Sequence, residues 1–446
     1  MLKKVSLASL GCSKNLVDAE HMLGILAEHG FEIVENEEDA DVIIVNTCTF
    51  IDSAKNESIE CILELSQYKN GGNCKALIVT GCMAQRYKEQ ILSEMPEVDA
   101  VVGTNEYDKI ADVIKELDND RTDLLWCGAG CPDEQNLPRI RTTPSYTAYL
   151  KIAEGCDNHC TYCVIPSIRG RYKSRRLEDI VSEAERLAGD GVRELVVIAQ
   201  DTTAYGKDIY GEYRLPELLK KLCAINGVNW IRVHYCYPEL VSDELIEVFK
   251  TEPKLCSYFD IPIQHSSDKI LKKMGRHTNK AQIVGLIEKI RREIPDAVIR
   301  TSLIVGFPGE TEEDFEDLCD FVRKIRFERL GVFAYSREED TPAYSFDNQI
   351  DEEEKERRRD LIMMIQSEIA EEQNTEKIGS VVRVLVEDRD EIIKSYYGRT
   401  YADSEEIDGK VFFKSDRKLN PGEFVNVKVE QAMEYDLFGA ECDACE

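Results

Sequence analysis

The sequence predicts a multidomain α/β protein. Its expected parts are an N-terminal α/β domain with a parallel sheet, a central partial β/α barrel and a small antiparallel β-barrel. Up to about residue 375, short apolar runs alternate with amphipathic stretches of helical period, a pattern typical of parallel sheets covered by helices. After residue 378, apolar and polar residues alternate, which is the period of half-buried strands. With 446 residues, the chain is long enough for several domains.

The first predicted domain, residues 1–118, contains strands in "KVSLASLGC", "DVIIVNTC", "KALIVTGC" and "VDAVVGT". The first three strands end in Cys12, Cys48 and Cys82. Because the carboxyl ends of parallel strands lie at one edge of a sheet, these thiols are expected to form a three-cysteine site. The alternative is that they are small buried hydrophobic residues. We interpret the following cysteines in that second way: Cys61, Cys223, Cys256 and Cys319.

Residues 119–145 are rich in Gly, Pro and polar residues and predict a linker. Cys127 and Cys131 lie in it with CxxxC spacing, without other candidate ligands nearby in the sequence. We interpret them as incidental thiols. The sequence assigns no role to Cys442 or Cys445.

The central region, residues 146–375, repeats a strand and a helix in six units, as expected for a partial or full β/α barrel. In such barrels the active site lies at the carboxyl ends of the strands. The polar and cysteine residues at these ends are Cys156, Gln200, Asp201, Gln264, His265 and the turn 306–310. The charged stretch at 351–379 predicts a solvated helix that ends at Gly379.

The last region, residues 378–446, predicts a small antiparallel barrel that resembles an oligonucleotide-binding fold. Acidic side chains outnumber basic ones in this region. A polyanion such as RNA is therefore a disfavoured ligand for the barrel.

The amino-acid composition limits which class of protein the chain can belong to and which partners it can bind. The chain has 56 basic and 86 acidic residues, a net charge of −30, which suits either basic partners or solubility alone. No apolar run is long enough to span a membrane. The first residues predict a strand rather than a signal peptide, so we expect a cytoplasmic protein. In that reducing compartment, clustered cysteines among the 16 indicate metal or redox chemistry.

The stretch "KIAEGCDNHCTYC" places Cys156, Cys160 and Cys163 in CxxxCxxC spacing. A structural zinc ion normally has four protein ligands, and His159 is poorly placed to be the fourth. Thiolates also hold iron–sulfur clusters, and three of them leave one iron free for an external ligand. We favour the cluster over zinc or accidental clustering.

The motif "CDNHCTYC" after "YLKIAEG" resembles the cluster loop of radical S-adenosylmethionine (SAM) enzymes. The resemblance implies that Cys156, Cys160 and Cys163 hold a 4Fe-4S cluster whose free iron binds SAM. It further implies cleavage of SAM to a 5′-deoxyadenosyl radical that abstracts a hydrogen atom. Tyr162 is expected beside the adenine of the cofactor.

The whole chain is similar to the methylthiotransferases, through "LGCSKN", "VNTC" and "VTGCMAQ" in addition to the cluster loop. That family joins an N-terminal methylthiotransferase domain, a radical SAM barrel and a C-terminal TRAM barrel. The resemblance implies that Cys12, Cys48 and Cys82 hold a second, auxiliary 4Fe-4S cluster, which provides the inserted sulfur.

Within that family, the sequence resembles the branch that methylthiolates the β-carbon of an aspartate in small-subunit ribosomal protein twelve. The matching stretches are "SLGCSKNLVDAE", "CVIPSIRG", "DIPIQHSSDKILKKM" and "YDLFGA". The alternative branch modifies an adenosine in transfer RNA and would favour Gln-Met after the first cysteine. The acidic charge favours the basic ribosomal protein, alone or within its subunit, over transfer RNA. An electron donor protein is also implied.

A function of another class remains open at this point. Without catalysis, the chain would be an iron–sulfur module that binds ribosomes.

A cationic stretch follows the cluster loop and comprises Arg169, Arg171, Lys173, Arg175 and Arg176. We expect it to contact phosphate, the carboxylate of the cofactor or an acidic segment of the substrate. The alternative is a solvated loop.

In "LIVGFPGET", Gly306 and Gly309 could surround a phosphate, although the motif is not a P-loop. Thr311 and Asp314 predict a capping pair for the next helix. The family resemblance instead implies that the turn at Gly306 lines the cofactor pocket. Gln200, Asp201 and His265 are further candidates for contact with cofactor or substrate.

Overall fold

The structure is a computed structural model that describes residues 2–128 and 137–443. It contains two parallel sheets followed by a closed β-barrel, in the predicted chain order. Cys131 and Cys445 lie outside the described residues. Within those ranges, no helix is long and apolar enough to cross a membrane.

The N-terminal sheet is parallel, with the strand order β2-β1-β3-β4-β5-β6. Its strands are β1 (Lys4–Ser9), β2 (Glu32–Ile33), β3 (Val42–Thr47), β4 (Ala76–Gly81), β5 (Ala100–Gly103) and β6 (Leu124–Trp126). The helices are α1 (Ser13–Glu28), α2 (Asp52–Ser66), α3 (Tyr68–Gly71), α4 (Cys82–Tyr87), α5 (Glu89–Glu94) and α6 (Ile110–Leu117). β3 and β4 are buried along their whole length because apolar clusters cover both faces of the sheet.

Strand β6 lies inside the stretch 119–145 that the sequence predicts as a linker. It pairs with β5 and extends the N-terminal sheet by one strand. Leu124 and Trp126 pack against the apolar cluster on one face of that sheet. The stretch is therefore not a linker throughout, because its few apolar residues are enough for an edge strand.

The central sheet is also parallel, with the order β14-β13-β12-β11-β10-β7, so that β7 and β14 are its edges. Its strands are β7 (Thr147–Lys151), β10 (Glu194–Ile198), β11 (Trp230–Val233), β12 (Leu255–Asp260), β13 (Val298–Val305) and β14 (Arg329–Ala334). A separate antiparallel pair is β8 (Ala153–Glu154) and β9 (Lys173–Ser174). The open edges confirm the prediction of a partial barrel.

The helices of the central domain cover the outer face of the sheet and bury a large apolar core. They are α7 (Ile165–Arg169), α8 (Leu177–Gly189), α9 (Lys207–Tyr210), α10 (Leu215–Cys223), α11 (Asp243–Thr251), α12 (Asp268–Lys273), α13 (Lys280–Glu293), α14 (Glu312–Ile325) and α15 (Glu352–Thr375). Helix α14 begins with the predicted pair, since Thr311 and Asp314 form a reciprocal capping box.

Helix α15 differs from the predicted solvated helix. One of its faces is buried, and Ile362, Ile365 and Ile369 belong to the core of the central domain. The helix ends at Thr375, before Gly379, whose amide donates a hydrogen bond to Val429 O. The high charge of the exposed face concealed an apolar stripe of helical period.

The C-terminal barrel is closed, with the order β15-β16-β17-β19-β18. Its strands are β15 (Val381–Asp390), β16 (Ser395–Arg399), β17 (Val411–Lys414), β18 (Phe424–Ala432) and β19 (Leu437–Cys442). The pairing is antiparallel as predicted, except that β17 and β19 run parallel. The sequence pattern did not reveal β16.

The barrel docks on the amino-terminal end of the central sheet, opposite the predicted site. Arg399 contacts Glu194, the first residue of β10, at 2.7 Å, and both side chains are buried. The loop after β16 enters the central domain, where Ser404 Oγ lies 3.0 Å from His234 Nε2. Asp408 accepts a hydrogen bond of 2.7 Å from the hydroxyl of Tyr258. We name residues 400–408 the plug loop.

Candidate functional site

Cys12, Cys48 and Cys82 lie at one edge of the N-terminal sheet. They follow β1, β3 and β4, which are neighbours in the sheet. Gly11 brings the first of these loops close to the second, because a Cβ at Gly11 would lie 2.9 Å from Cys48 Sγ. The sheet topology thus places the three thiols together, as the strand pattern predicts.

Asn15 connects the ends of these strands. Its amide nitrogen donates hydrogen bonds to Leu10 O at 3.0 Å and to Thr47 O at 2.8 Å. Its side-chain oxygen accepts a hydrogen bond from Arg169 Nη2 and lies 3.6 Å from Cys82 Sγ. The side-chain amide of Asn15 therefore connects the ends of the strands that the three cysteines follow.

The loop with Cys156, Cys160 and Cys163 is held at the carboxyl end of the central sheet by its own backbone. Gly155 has φ +75°, and a Cβ there would lie 2.2 Å from Arg171 O, so glycine is required before the first cysteine. The amide of Cys156 donates to Gly170 O, directly after α7, at 3.2 Å, and the amide of Cys163 donates to Cys160 O at 3.1 Å. The compact loop brings Cys156 and Cys160 close enough to Cys163 to contribute to its raised pKa.

Neighbouring polar groups contact the sulfur atoms of this loop. The amide of Asn158 donates to Cys156 Sγ at 3.4 Å. Cys160 Sγ lies 3.6 Å from the hydroxyl of Tyr237 and 3.9 Å from Arg276 Nη1. The guanidinium of Arg276 stacks 4.2 Å from the centroid of the Tyr237 ring. Tyr237 and Arg276 could not be predicted from the sequence, because they lie in loops far along the chain and outside any spacing motif.

Burial raises the pKa of thiols in both triplets, to about 12 for Cys82 and Cys163 and to about 11 for Cys156. Without metal, these three thiols are protonated at neutral pH. Metal binding requires thiolates, so loading either triplet must release protons.

The donor set of each triplet fits an iron–sulfur cluster better than a single metal ion. Among the described residues, no group of three or more His, Cys, Asp or Glu side chains is arranged to hold one ion. In a cluster, several irons share the thiolate ligands, so the sulfur atoms need not converge on one point. Three thiols at each of two sites, without a carboxylate or imidazole among them, match this requirement.

The segment that follows Cys163 packs against Cys82 of the other triplet. Cys82 forms a buried apolar cluster with Val164 and Ile168, which directly follow the loop of Cys163. Arg169, at the end of α7, donates from Nη2 to Cys82 Sγ at 3.4 Å. A residue that follows one triplet therefore contacts a cysteine of the other.

A buried ionic network supports this contact. Arg169 Nη1 lies 2.6 Å from Asp18 of α1 and 3.0 Å from Glu154 of β8. Lys151 Nζ contacts the same two carboxylates at 2.5 and 3.0 Å. Burial alone would raise the pKa of Glu154, but Arg169 and Lys151 lower it to about 2. Asp18 joins the N-terminal domain to these two cations of the central domain, whereas Glu154 lies in the central domain with them.

Helix α1 also reaches the mouth of the partial barrel. It begins directly after Cys12, and Val17 packs against Val196 and Ile198 of β10. Lys14, in the first turn, lies with its Nζ 3.5 Å from the centroid of the Tyr235 ring. The N-terminal domain therefore packs against the face of the central sheet opposite its covering helices.

The predicted cationic stretch is not a continuous exposed surface. Arg169 is buried, and Arg175 contacts Glu183 at 2.7 Å. Arg171 is exposed and pairs with Asp157 at 3.2 Å. The stretch is therefore divided between side chains in buried ion pairs and exposed side chains. The remaining members, Lys173 and Arg176, are exposed.

Tyr162 and Gly306 lie on two sides of one aromatic cluster. The Tyr162 ring stands edge-on to the ring of Phe307, with 6.4 Å between centroids. Gly306 has φ +71°, and a Cβ there would lie 2.3 Å from Lys355 Cγ. The glycine is thus explained by the close approach of α15, without a phosphate.

Gln200 and Asp201 contact residues that shape the cluster loop. Gln200 Nε2 donates to Glu154 Oε1 at 2.5 Å. Asp201 accepts a hydrogen bond of 2.9 Å from Asn158 Nδ2, and burial raises the pKa of Asp201. Through these contacts, Gln200 and Asp201 support the conformation of the cluster loop.

His265 lies deeper in the central domain. Its Nδ1 accepts a hydrogen bond of 2.9 Å from the amide of Ser267, and its Nε2 lies 3.8 Å from Glu310. Burial lowers the pKa of His265 to about 4 and raises the pKa of Glu310 to about 7. His265 is therefore neutral at pH 7.

Three family models match separate segments of the chain. The model described as uncharacterized protein family UPF0004 matches residues 4–103, the radical SAM superfamily matches residues 150–322, and the TRAM domain matches residues 378–441.

Curated proteins similar to this chain are described as ribosomal protein uS12 methylthiotransferase RimO. The protein of Clostridioides difficile (strain 630) is 56% identical, over 98% of each chain. The protein of Lachnoclostridium phytofermentans is 55% identical over 98% of this chain and 99% of its own. The protein of Acetivibrio thermocellus is 54% identical over 98% of each chain.

Solved structures show a similar fold at low sequence identity. The radical S-adenosylmethionine methyltransferase TsrM from Kitasatospora setae superposes with a TM-score of 0.58 at 16% identity, covering 77% of each chain. The cobalamin-dependent S-adenosylmethionine radical enzyme OxsB gives a TM-score of 0.52 at 13% identity, over 82% of this chain and 56% of its own.

Proposed function

We propose roles for the residues of this site on the premise that the chain belongs to the RimO family of radical SAM methylthiotransferases. The function that follows is methylthiolation of the β-carbon of an aspartate in ribosomal protein uS12, the small-subunit protein twelve expected from the sequence. The observation that carries this conclusion is an identity of 56% to a RimO protein over 98% of the chain.

The two cysteine triplets would hold the clusters. Cys156, Cys160 and Cys163 are the proposed ligands of the cluster that binds SAM. Cys12, Cys48 and Cys82 are the proposed ligands of an auxiliary cluster. When bound, SAM would supply the methyl group and the radical that removes a hydrogen atom from the β-carbon, and the auxiliary cluster would supply the sulfur.

The chain itself orients this chemistry and excludes water from it. Arg169 ties Cys82 to the ionic network between the two domains. Val164 and Ile168 cover Cys82 with apolar side chains, which supports a dry space between the triplets. Asn158 supports the cluster loop through its amide contact to Cys156.

The other predicted site residues receive narrower roles. Tyr162 and Gly306 are proposed to line the cofactor pocket, because both border the aromatic cluster beside the loop. Gln200 and Asp201 are proposed as positioning residues, since they contact Glu154 and Asn158.

The proposed partners are the protein substrate and the protein that supplies electrons. The protein substrate is uS12, alone or within the small ribosomal subunit, and an electron donor protein is required to reduce the cluster that binds SAM. The site of action is then the cytoplasm, where ribosomal proteins are made and assembled.

Anaerobic reconstitution tests the function. The protein is loaded with iron and sulfide and incubated with SAM, a reductant and purified uS12, and uS12 is then analysed by mass spectrometry. We expect one methylthio group on one aspartate. A methylthio group found only on transfer-RNA nucleosides added in parallel, or uS12 left unmodified while SAM is cleaved, would contradict the assignment.

Cysteine variants test the separate roles of the triplets. We expect Cys156→Ala to abolish 5′-deoxyadenosine formation, because a ligand of the SAM-binding cluster is lost. Cys12→Ala is expected to retain 5′-deoxyadenosine formation and to stop methylthiolation. Cys61→Ala, a half-buried cysteine on α2, is the control and should retain both activities. Equal loss of both activities in Cys12→Ala and Cys156→Ala would argue against two roles.

A further inference from the structure

Lys14 is a buried cation at the mouth of the partial barrel. It lies two residues after Cys12 in the first turn of α1, and only 8% of the residue is exposed. Its Nζ lies over the ring of Tyr235, 3.5 Å from the centroid. The side chain therefore extends from the cysteine edge of the N-terminal sheet into the central domain.

Among the described residues, no carboxylate lies within ion-pair distance of the Lys14 ammonium. Glu154 acts on Lys14 only at longer range, and its carboxylate is already bound by Lys151 and Arg169. Those two cations each contact two carboxylates within 3.0 Å. Lys14 thus differs from its neighbours, although it is buried at the same domain interface.

An unpaired buried ammonium is costly, because it loses hydration without gaining a counter-charge. The Tyr235 ring compensates part of this loss through a cation–π contact. A ring covers only one side of an ammonium, which has three N–H donors. Tyr235 and Cys12 both interact with this ammonium. Because no carboxylate among the described residues pairs with it, an anionic ligand is the partner that would add a full counter-charge.

Tyr235 is held in an unusual conformation beneath Lys14. Its φ is +60°, which is rare for a bulky side chain. The conformation is fixed by a hydrogen bond from its amide to Asp260 at 2.9 Å and by bonds from Thr202 to its carbonyl. Residues held in this region of φ concentrate at ligand sites, since the strain must be supported by the surrounding structure.

The reaction itself provides an anion of the required geometry. In an aspartate side chain, the β-carbon is bonded directly to the carboxylate carbon. A cation that binds this carboxylate therefore fixes the reacting carbon within one bond of the contact. Lys14 stands between Cys12 and the barrel mouth, where the β-carbon must meet both the sulfur and the radical.

We propose that Lys14 binds the side-chain carboxylate of the target aspartate and makes the site selective for an acidic residue. The inference rests on the proposed function, because it assumes uS12 as substrate. It goes further by assigning substrate recognition to a residue outside the cluster ligands.

Equilibrium binding tests the proposal without turnover. Reconstituted protein with SAM but without reductant is titrated with uS12 and with uS12 whose modified aspartate is replaced by asparagine. We expect wild-type protein to bind the aspartate form about 10- to 100-fold more tightly, the range of a charge-assisted hydrogen bond. Lys14→Met should bind both forms with nearly equal affinity.

Two further variants control for folding and charge. Lys207→Met removes an exposed lysine that also lies over a tyrosine ring, that of Tyr213, and should keep the preference for aspartate. Lys14→Arg keeps the charge and should retain part of the preference, with a raised KM. Iron content and 5′-deoxyadenosine formation should match wild type in Lys14→Met, because Lys14 is not a cluster ligand.

The outcomes separate this inference from the proposed function. If Lys14→Met keeps the full preference for aspartate, or if wild-type protein shows none, Lys14 does not bind the carboxylate. If Lys14→Met does not fold, Lys14→Arg decides the question: a reduced preference and a raised KM at normal iron content support the proposal, and an unchanged preference and KM overturn it. Failure of the proposed function is distinct, since wild-type protein would then leave uS12 unmodified.

Discussion

Gly306 occupies a backbone position in which a side chain has neither room nor a favourable conformation. Its φ of +71° lies in the left-handed region, and a Cβ would stand 2.3 Å from Cγ of Lys355, which is itself buried. The turn between β13 and α14 can therefore approach α15 closely. This contact brings Phe307 into the aromatic cluster beside Tyr162.

We expect Gly306→Ala to lower the free energy of unfolding by roughly 1–3 kcal/mol, because the new Cβ adds strain and a clash. The matched control is Gly285→Ala in the exposed part of α13, where no atom lies within 4 Å of the added Cβ. That change should raise stability by about 0.5–1 kcal/mol, since alanine favours the helix. Chemical denaturation of both variants measures the difference, and equal effects would contradict this account.

Single residues were predictable where their chemistry depends on local spacing. Cys156, Cys160 and Cys163 are separated by a few positions, so the sequence alone identifies their loop. The sequence identifies Arg169 only as one of several cations in a stretch. Its contacts to Asp18 and Cys82 could not be predicted, because they cross from one domain to another. No local pattern encodes such a contact.

Helix α15 has a charged exposed face and an apolar buried face. Ile365 is 3% exposed within the core of the central domain, whereas its neighbour Met364 is 55% exposed. The buried face packs on β14 and α14 and covers the edge of the sheet. The helix is thus a structural part of the central domain.

Alanine substitutions at adjacent positions test this orientation. We expect Ile365→Ala to cost about 2–5 kcal/mol of unfolding free energy, because it leaves a cavity in the core. Met364→Ala should change stability by no more than about 0.5 kcal/mol. Thermal and urea unfolding provide the measurement. Similar costs at the two positions would mean that the helix is not packed in the observed register.

Secondary-structure elements were predictable where several residues of a segment indicate the same structure. The buried strands β3 and β4 and the capping box of α14 were recognisable for this reason. β6 was missed because it has only three residues, in a stretch rich in turn-forming residues. Its pairing with β5 is a tertiary effect that propensity does not encode.

The plug loop joins the C-terminal barrel to the central domain through buried polar contacts. Arg399, next to this loop, contacts Glu194 at 2.7 Å and Glu387 at 2.5 Å. The same Glu194 contacts Arg232. Because these charges are shielded from water, each depends on its partners.

We expect Arg399→Met to destabilise the docked barrel by roughly 3–5 kcal/mol, since buried carboxylates lose a partner. Limited proteolysis of the full chain should then cut between α15 and β15 faster than in wild type. The control Arg389→Met removes an exposed arginine of the same barrel and should not change the cleavage rate. Unchanged cleavage in Arg399→Met would show that the apolar contacts alone hold the barrel.

The order of the three parts could be predicted from the sequence, but their arrangement could not. Changes in periodicity mark the parts, and sheet topology places ligands at strand ends. The contact of Val17 with Val196 and the docking of Arg399 depend on complementary surfaces from separate domains. Such surfaces leave no periodic signal in either segment.

The position of α1 has an evolutionary consequence. Its first turns belong by sequence to the N-terminal domain, yet they pack against the sheet of the next one. Exchange of the N-terminal domain with that of a distant relative would therefore alter this interface as well. The two units are expected to be inherited together, with changes in one matched by changes in the other.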